Sequence, residues 1–437
     1  LVKVDTSPAR GMRDLLPSEV ESRSKIAEVI LRTYREHGFN QIETPAVENL
    51  ERLIGSGGGD NEKLVFKILK RGEKLNDLSD EASLADLGLR FDLTVPLARY
   101  YAQNFSKLPS VFRSIQIGPV WRAERPQKGR FRQFVQCDID IIAEPNVTAE
   151  LELISTSLIA TSRLGINDLT LRYNHRKFLD QLLPWSGVAQ GLIGAALIIL
   201  DKLDKIGADG VSRELIELGV DEAATSKLVS TLLEISTSDA LPHGLFEEMN
   251  LSEAVQSEIS AIASLGHNGR FGDVRFLFDP TVIRGMGYYT GAIFELGVSE
   301  FGFSIGGGGR YDNMLERFGR PAPACGFSLG FERIALYLSE QKFEIPDVKP
   351  LVRVRCENWA SYGPASEFVD RAIGMGATAQ IEGSSRKLES ALRSYRSDYD
   401  ARDTKPPWEI LIEVAQDANR VHRIGGEVPE FDISFRS

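Results

Sequence analysis

The sequence predicts an α+β fold in two parts. Three observations carry this. Strand-like runs at 109–124 and 132–144 are joined by the polar tip "RPQKG", the signature of a hairpin. Strand-like runs return at 274–280, 290–298 and 302–309 only after a mostly helical stretch, 146–270. From about residue 351, strands and helices alternate as βαβαβ, the order of a small α/β domain. A chain of 437 residues is also too long for one ordinary core.

Each element has a local cause. Residues 18–37 place apolar side chains at helical spacing, with Ser18 expected as N-cap, Glu21 three residues on and Gly38 as the stop. "FNQIETPAV" reads as a strand ended near Pro45, and "EKLVFKILKR" (62–71) alternates like another. Residues 87–105 pass from strand to helix, with Pro96 in the first turn. "TAELELISTSLIATSRLG" is a helix, and "LTLRYNHRKFLDQLL" is a strand feeding a helix. The Leu-, Ala-, Ser- and Glu-rich stretch 186–270 carries no chemical motif and reads as part of a helical insertion, about 146–270. "PACGFSLGFERIALYLSE" closes this part as strand then helix. The expected domains are 1–342 and 343–437, split by the Pro-punctuated "FEIPDVKP".

Composition narrows the function classes. Apolar content of 42% and charged content of 26% are those of a soluble globular protein. The longest apolar run, "GLIGAALIIL", is too short to cross a bilayer, so no membrane role is expected. The opening residues show no apolar segment of a secretory signal. Cys137, Cys325 and Cys356 lie far apart, and no metal-ligand spacing appears. A reducing cytoplasm and no resident metal are the expectations. The net charge of −11 argues only weakly against nucleic acid, because local basic surface decides that contact. One such run exists: "RAERPQKGRFRQF" (122–134) holds five basic residues against Glu124. Residues 345–437 hold 13 Lys and Arg against 15 Asp and Glu, so they form no basic module.

Four segments carry chemistry. "FSIGGGGRYDNML" (303–315) fails the P-loop test, because Arg310 and Tyr311 follow Gly309 where Lys and Ser or Thr are needed. It fails the GxGxxG spacing too. What remains is a strand whose bare backbone lets a ligand or another backbone approach closely. Arg122, Glu124 and Phe134 on one hairpin suit a nucleotide held without a P-loop: guanidinium for phosphate, carboxylate for an amino group, ring for a purine. In "GFERIAL", Arg333 offers a second cation for a far phosphate. "IRGMGYYTG" sets Arg284, Tyr288 and Tyr289 among glycines.

Together these segments resemble a known family. "GPVWRAERPQKGRFRQF" and "GFSLGFERIAL" are similar to motifs 2 and 3 of the class II aminoacyl-tRNA synthetases, and "GFNQIETPAVE" is similar to motif 1, the dimer-forming element. "IRGMGYYTG" and "IGGGGRYD" resemble the two signatures of the histidyl-tRNA synthetases. "LRFDLTVPLARY" and "GMRDLLP" fit the same family. The likeness spans about residues 8–340, with the motifs in family order.

The resemblance implies a class II antiparallel sheet flanked by helices, a homodimer, and two steps. ATP and L-histidine give histidyl-adenylate, and the acyl group then moves to tRNA(His). Arg122 and Arg284 would be catalytic. Arg122, Glu124, Arg130, Phe134 and Arg333 would bind ATP, accompanied by Mg2+, with no tightly bound cofactor. Asp92, Thr94, Gln136 and Asp140 would hold the α-amino group. Tyr289 would contact the imidazole, with Tyr288 and Tyr311 nearby, and Arg284 would sit beside the histidine carboxylate and the α-phosphate. Gly306, Gly307 and Gly308 would form one wall of the pocket. Three features depart from the family: Asp92 and Asp140 stand where many bacterial relatives have Glu, and Gly287 replaces a common Asp. The C-terminal segment, in the place of an anticodon-binding domain, lacks the usual local pattern and stops short of the last strands. Two rivals follow. Paralogues serve as non-catalytic regulatory subunits of ATP phosphoribosyltransferase, but they have lost active-site residues that this sequence keeps. A stand-alone enzyme that loads histidine on another carrier is the third reading.

Overall fold

The computed structural model describes residues 5–54, 61–71, 84–125, 131–267, 271–283, 288–299, 302–341, 349–356, 362–383, 387–401, 405–414 and 419–427. The chain divides into two compact units, Leu1–Lys342 and Phe343–Ser437.

The first unit opens on α1 (Pro17–Glu36). Ser18 is not its cap. Pro17 suits the first helical position because its missing N–H would be unpaired there anyway. Leu16 therefore takes the cap position, and its N–H donates to Glu19 Oε2 at 3.2 Å. Gly38 follows the helix at φ +82°, as a stop signal should. The expected strand before Pro45 is only β1 (Asn40–Gln41), and β2 (Val47–Asn49) beyond Pro45 enters a different sheet. After α2 (Leu50–Ile54), residues 61–64 turn as a 3-10 helix, so the strand expected over 62–71 shrinks to β3 (Lys67–Leu69). β4 (Ala85–Leu89) pairs with both β2 and β3 in a small antiparallel sheet. α3 (Thr94–Asn104) follows, with Pro96 in its first turn.

The hairpin is β5 (Phe112–Trp121) and β6 (Gln133–Ile142), antiparallel over ten residue pairs. Most of its tip, 126–130, lies outside the described residues. α4 (Thr148–Arg163), β7 (Leu169–His175) and α5 (Arg176–Ser186) come next. Five helices fill the middle: α6 (Ile193–Leu200), α7 (Leu203–Glu217), α8 (Glu222–Ser236), α9 (His243–Glu248) and α10 (Glu253–His267). The chain returns to the sheet as β8 (Arg275–Phe278), β9 (Ala292–Val298), β10 (Ser304–Arg310) and β11 (Ala324–Leu329), and ends the unit with α11 (Phe331–Glu340).

The large sheet has the order β1-β5-β6-β11-β10-β9-β7-β8. Its six inner strands are antiparallel, while β1 and β8 join the edges in parallel. One apolar cluster spans α1, the sheet and the middle helices, from Ile26 and Tyr34 through Ile139 and Leu171 to Leu232 and Ile262. The middle helices thus share a core with the sheet. Cys137 and Cys325 are free and buried.

The second unit holds β12 (Leu351–Cys356), α12 (Tyr362–Gly374), β13 (Thr378–Gly383), α13 (Leu388–Ala401), β14 (Trp408–Val414) and β15 (Arg420–Gly426). β13, β12 and β14 run parallel, and β15 adds an antiparallel edge that the sequence pattern did not reveal. Val352, Val354, Phe368, Ile410 and Ile412 give it a core of its own.

Candidate active site

Two adjoining lobes open on the face of the large sheet. The first, about 430 Å³, is lined by Arg122, Glu124, Phe131, Phe134, Arg333 and Gly306 among others. The second, about 420 Å³, is lined by Asp92, Thr94, Asp138, Asp140, Tyr288 and Tyr311 among others. Arg122, Gln136, Tyr289, Gly307, Gly308 and Ser328 line both. Fourteen of the residues expected from sequence therefore meet in one cleft. Arg284 and Arg130 lie outside the described residues, as does Gly287.

The hairpin builds the junction of the lobes. Arg122 follows β5 directly, and its N–H donates to Arg132 O across the hairpin at 2.8 Å. Its Nε donates to Phe91 O at 3.0 Å, and its guanidinium lies 5.0 Å from the Phe134 ring centre. The side chain is thus tethered between the hairpin and the segment that starts α3. Arg333, in the first turn of α11, donates to Ser304 O at 2.5 Å. That bond fixes it beside the first residue of the glycine strand.

Beneath the first lobe, Glu332 ties four segments. It pairs with both terminal nitrogens of Arg23 at 2.7 Å, accepts Val135 N–H at 3.2 Å and lies 3.7 Å from Arg13. Arg23 stacks over Phe331, and Arg13 over Phe131, each at 4.7 Å. Both rings line the lobe.

Alternation along β6 builds the second lobe. Side chains two apart share a face, so Gln136, Asp138 and Asp140 stand in one row. Their partners on β11 are Ser328 for Asp138 and Gly326 for Asp140. A Cβ at Gly326 would overlap the Asp140 carboxylate, so the glycine makes room for that side chain. Tyr311 O–H donates to Asp140 Oδ1 at 2.6 Å, and Tyr288 O–H to Tyr289 at 3.0 Å. Asp92 Oδ1 accepts Val95 N–H at 3.2 Å in the first turn of α3.

The electrostatics follow from burying three carboxyls together. Burial pushes Asp92 up to about 6, against the downward pull of Val95 N–H and Arg122. Burial pushes Asp140 up to about 7, with the Tyr311 hydroxyl opposing and the Asp92 charge adding. Asp138 is held well above the usual carboxylate range by burial and by the Asp140 charge. Such a lobe is short of positive charge and suits a cationic ligand.

The glycines of β10 answer to their neighbours before any ligand. A Cβ at Gly308 would overlap the Gly326 carbonyl oxygen on β11. One at Gly307 would sit 2.9 Å from Phe294 O, and one at Gly309 would sit 2.5 Å from Ala292 O and 3.0 Å from the Tyr289 ring. The strand lines the cleft, and adjoining backbone already excludes side chains at Gly307, Gly308 and Gly309. Arg310 then anchors the strand through a buried two-bond pair with Glu150 of α4, at 2.6 and 2.7 Å.

The sequence reading missed Asp138, Ser328, Gly326 and Phe131. Period two along β6 was the available signal for Asp138. Nothing local marks Ser328 or Gly326, which enter through the β6–β11 register.

A mainly antiparallel sheet carrying an arginine-flanked lobe beside an acidic one agrees with the architecture that the class II resemblance implies. Residues 11–334 match the family model described as Histidyl-tRNA synthetase. A histidine–tRNA ligase of Leifsonia xyli subsp. xyli is 48% identical over 366 residues, covering 79% of this chain and 83% of that one. The crystal structure of histidyl-tRNA synthetase from Nostoc sp. PCC 7120 aligns with a TM-score of 0.74 at 26% identity, over 94% of this chain and 92% of that one. A Bacillus halodurans structure titled as an ATP phosphoribosyltransferase regulatory subunit/histidyl-tRNA synthetase shares the fold, with a TM-score of 0.71 at 21% identity over 90% of this chain and 97% of that one. The chain belongs to the histidyl-tRNA synthetase family.

Proposed function

We infer that the chain is an ATP-dependent ligase that joins histidine to tRNA(His). The observation that carries this is the two-lobed cleft, in which residues for a nucleotide and for a cationic amino acid meet at Arg122. ATP takes the first lobe, with Phe134 against the purine, Glu124 on its amino group and Arg333 at the γ-phosphate. Histidine takes the second. Asp92, Thr94, Gln136 and Asp140 accept from its α-ammonium group, and Tyr289 meets the imidazole, with Tyr288 and Tyr311 nearby.

A carboxylate oxygen of histidine attacks the α-phosphorus, and pyrophosphate leaves. The ribose hydroxyl at the tRNA end then attacks the acyl carbon, and AMP leaves. The substrate carboxylate is already a nucleophile, so positioning and charge stabilisation carry the first step. Arg122 supplies charge at the junction of the lobes, and Arg284 is proposed to supply it on the other side of the α-phosphate. The described residues contain no cluster of His, Cys, Asp and Glu fit to hold a metal by itself. Mg2+ accompanying ATP would neutralise phosphate charge. A pocket with paired hydroxyl and carboxyl groups leaves them unpaired when a wrong amino acid enters, which gives strong selectivity.

The test is exchange of pyrophosphate into ATP, expected only when histidine is supplied. No exchange at any histidine concentration removes the enzyme and favours the regulatory reading, which is less supported by the relatives above. The homodimer belongs to the same proposal, and sedimentation at twice the chain mass is the expected result. No helix among the described residues is long and apolar enough to cross a membrane.

A further inference from the structure

Asp138 has no part in the chemistry above, yet it stands inside the amino-acid lobe. It is only 4% exposed; Gln136 and the Ser328 hydroxyl interact with its carboxyl group, and its Oδ1 has no hydrogen-bond partner within bonding distance among the described residues. A carboxyl group buried so incompletely satisfied is costly, and an apolar residue would be cheaper for packing alone.

Its neighbour shows what the group does. Gln136 Nε2 donates to Asp138 Oδ2 at 3.3 Å and lies 3.5 Å from Ser328 Oγ. Gln136 Oε1 is buried and has no partner among the described residues. A glutamine amide has one accepting end and one donating end, and the two are nearly the same shape. An ammonium group only donates, so it gains from one end and is repelled by the other. With an ammonium group bound nearby the ionised form of Asp138 is favoured, and a carboxylate only accepts. The donating end of Gln136 is therefore drawn to Asp138 and Ser328, and the accepting end is left without a protein partner among the described residues.

We propose that Asp138 is a positioning residue that holds the Gln136 amide with its carbonyl oxygen toward the substrate's α-ammonium group. It thereby sets the preference for an amino acid over the same molecule lacking its amino group. The inference rests on the reading that this lobe takes histidine.

The experiment uses the full chain and two ligands. Histidine is measured by ATP–pyrophosphate exchange, and 3-(imidazol-4-yl)propanoate, which lacks the amino group, is measured as an inhibitor. Asp138→Asn keeps size and shape but offers either a donor or an acceptor, so the Gln136 amide is free to turn. The KM for histidine is expected to rise about tenfold, with the KM for ATP and inhibition by the propanoate changed by less than about twofold. Asp138→Ala, which removes the anchor, is expected to show the same split. In a Gln136→Leu background, Asp138→Asn is expected to add less than about a further twofold, because the route through Gln136 is already gone. Equal weakening of both ligands would make the residue structural and overturn the proposal. So would an unchanged KM for histidine. A full further loss in the Gln136→Leu background would show that Asp138 meets the substrate directly and would also overturn it. Failure of the unsubstituted protein to exchange with histidine would instead reject the function on which the inference rests.

Discussion

Asp140 gives the amino-acid lobe its pH dependence. Its carboxyl is pushed up to about 7 and that of Asp92 to about 6, while an unfolded chain releases both protons near roughly pH 4. Between these limits the folded, ligand-free protein holds more protons than the unfolded chain, so its stability falls as pH rises through that window. In the proposed binding mode histidine takes the ionised carboxylates, so its KM is expected to fall over the same range. A thermal melt of the ligand-free protein should therefore drop from about pH 5 to about pH 7.5, while the upshift caused by histidine grows. Gly308 sets a different kind of limit. Gly308→Ala drives a methyl group into the Gly326 carbonyl, which is backbone and cannot step aside. A loss of about 3 kcal/mol or more is expected in denaturant unfolding. Gly306→Ala meets chiefly the side chains of Phe327 and Leu329, which can shift, and about 1–2 kcal/mol is expected.

The hairpin, α1 and α11 act as one element pair through Glu332. Its carboxylate holds Arg23 and Val135 N–H together, under two rings that line the nucleotide lobe. Glu332→Gln leaves Arg23, largely buried, without its countercharge, so about 3 kcal/mol of stability is expected to go. The KM for ATP should rise while that for histidine stays near its original value, which steady-state exchange separates. This joint also marks where sequence reading stopped. The hairpin, α4, the β7–α5 step and the glycine strand follow from local period and turn residues. Arg122 and Arg333 follow from motif chemistry, while Gln136 and Asp140 enter only through the family resemblance. Glu332 and Arg23 are 309 residues apart, and no local pattern pairs them. The N-terminal strands were overread for a related reason. "IETPAV" has strand-forming residues, but Pro45 carries the chain from one sheet to the other. β15 was missed because "RVHRIGG" alternates weakly and pairs only through β14.

At the scale of the whole chain, each unit has its own apolar core, and the cleft draws only on the first. A chain ending at residue 342 is expected to keep histidine-dependent pyrophosphate exchange and to lose charging of tRNA(His). Retained charging would show that the second unit is dispensable for the RNA. The strand order of the first unit has a consequence for biosynthesis. β6 is complete at Ile142, but the strand that covers its free edge, β11, ends at Leu329. About 190 residues separate the two, so a ribosome working at roughly 5–20 residues per second leaves that edge bare for about 10–40 seconds. The nascent chain thus displays a long, pairing-competent strand with one apolar face well before its partner exists. Protection of that edge during translation is therefore expected to raise the yield of folded chain.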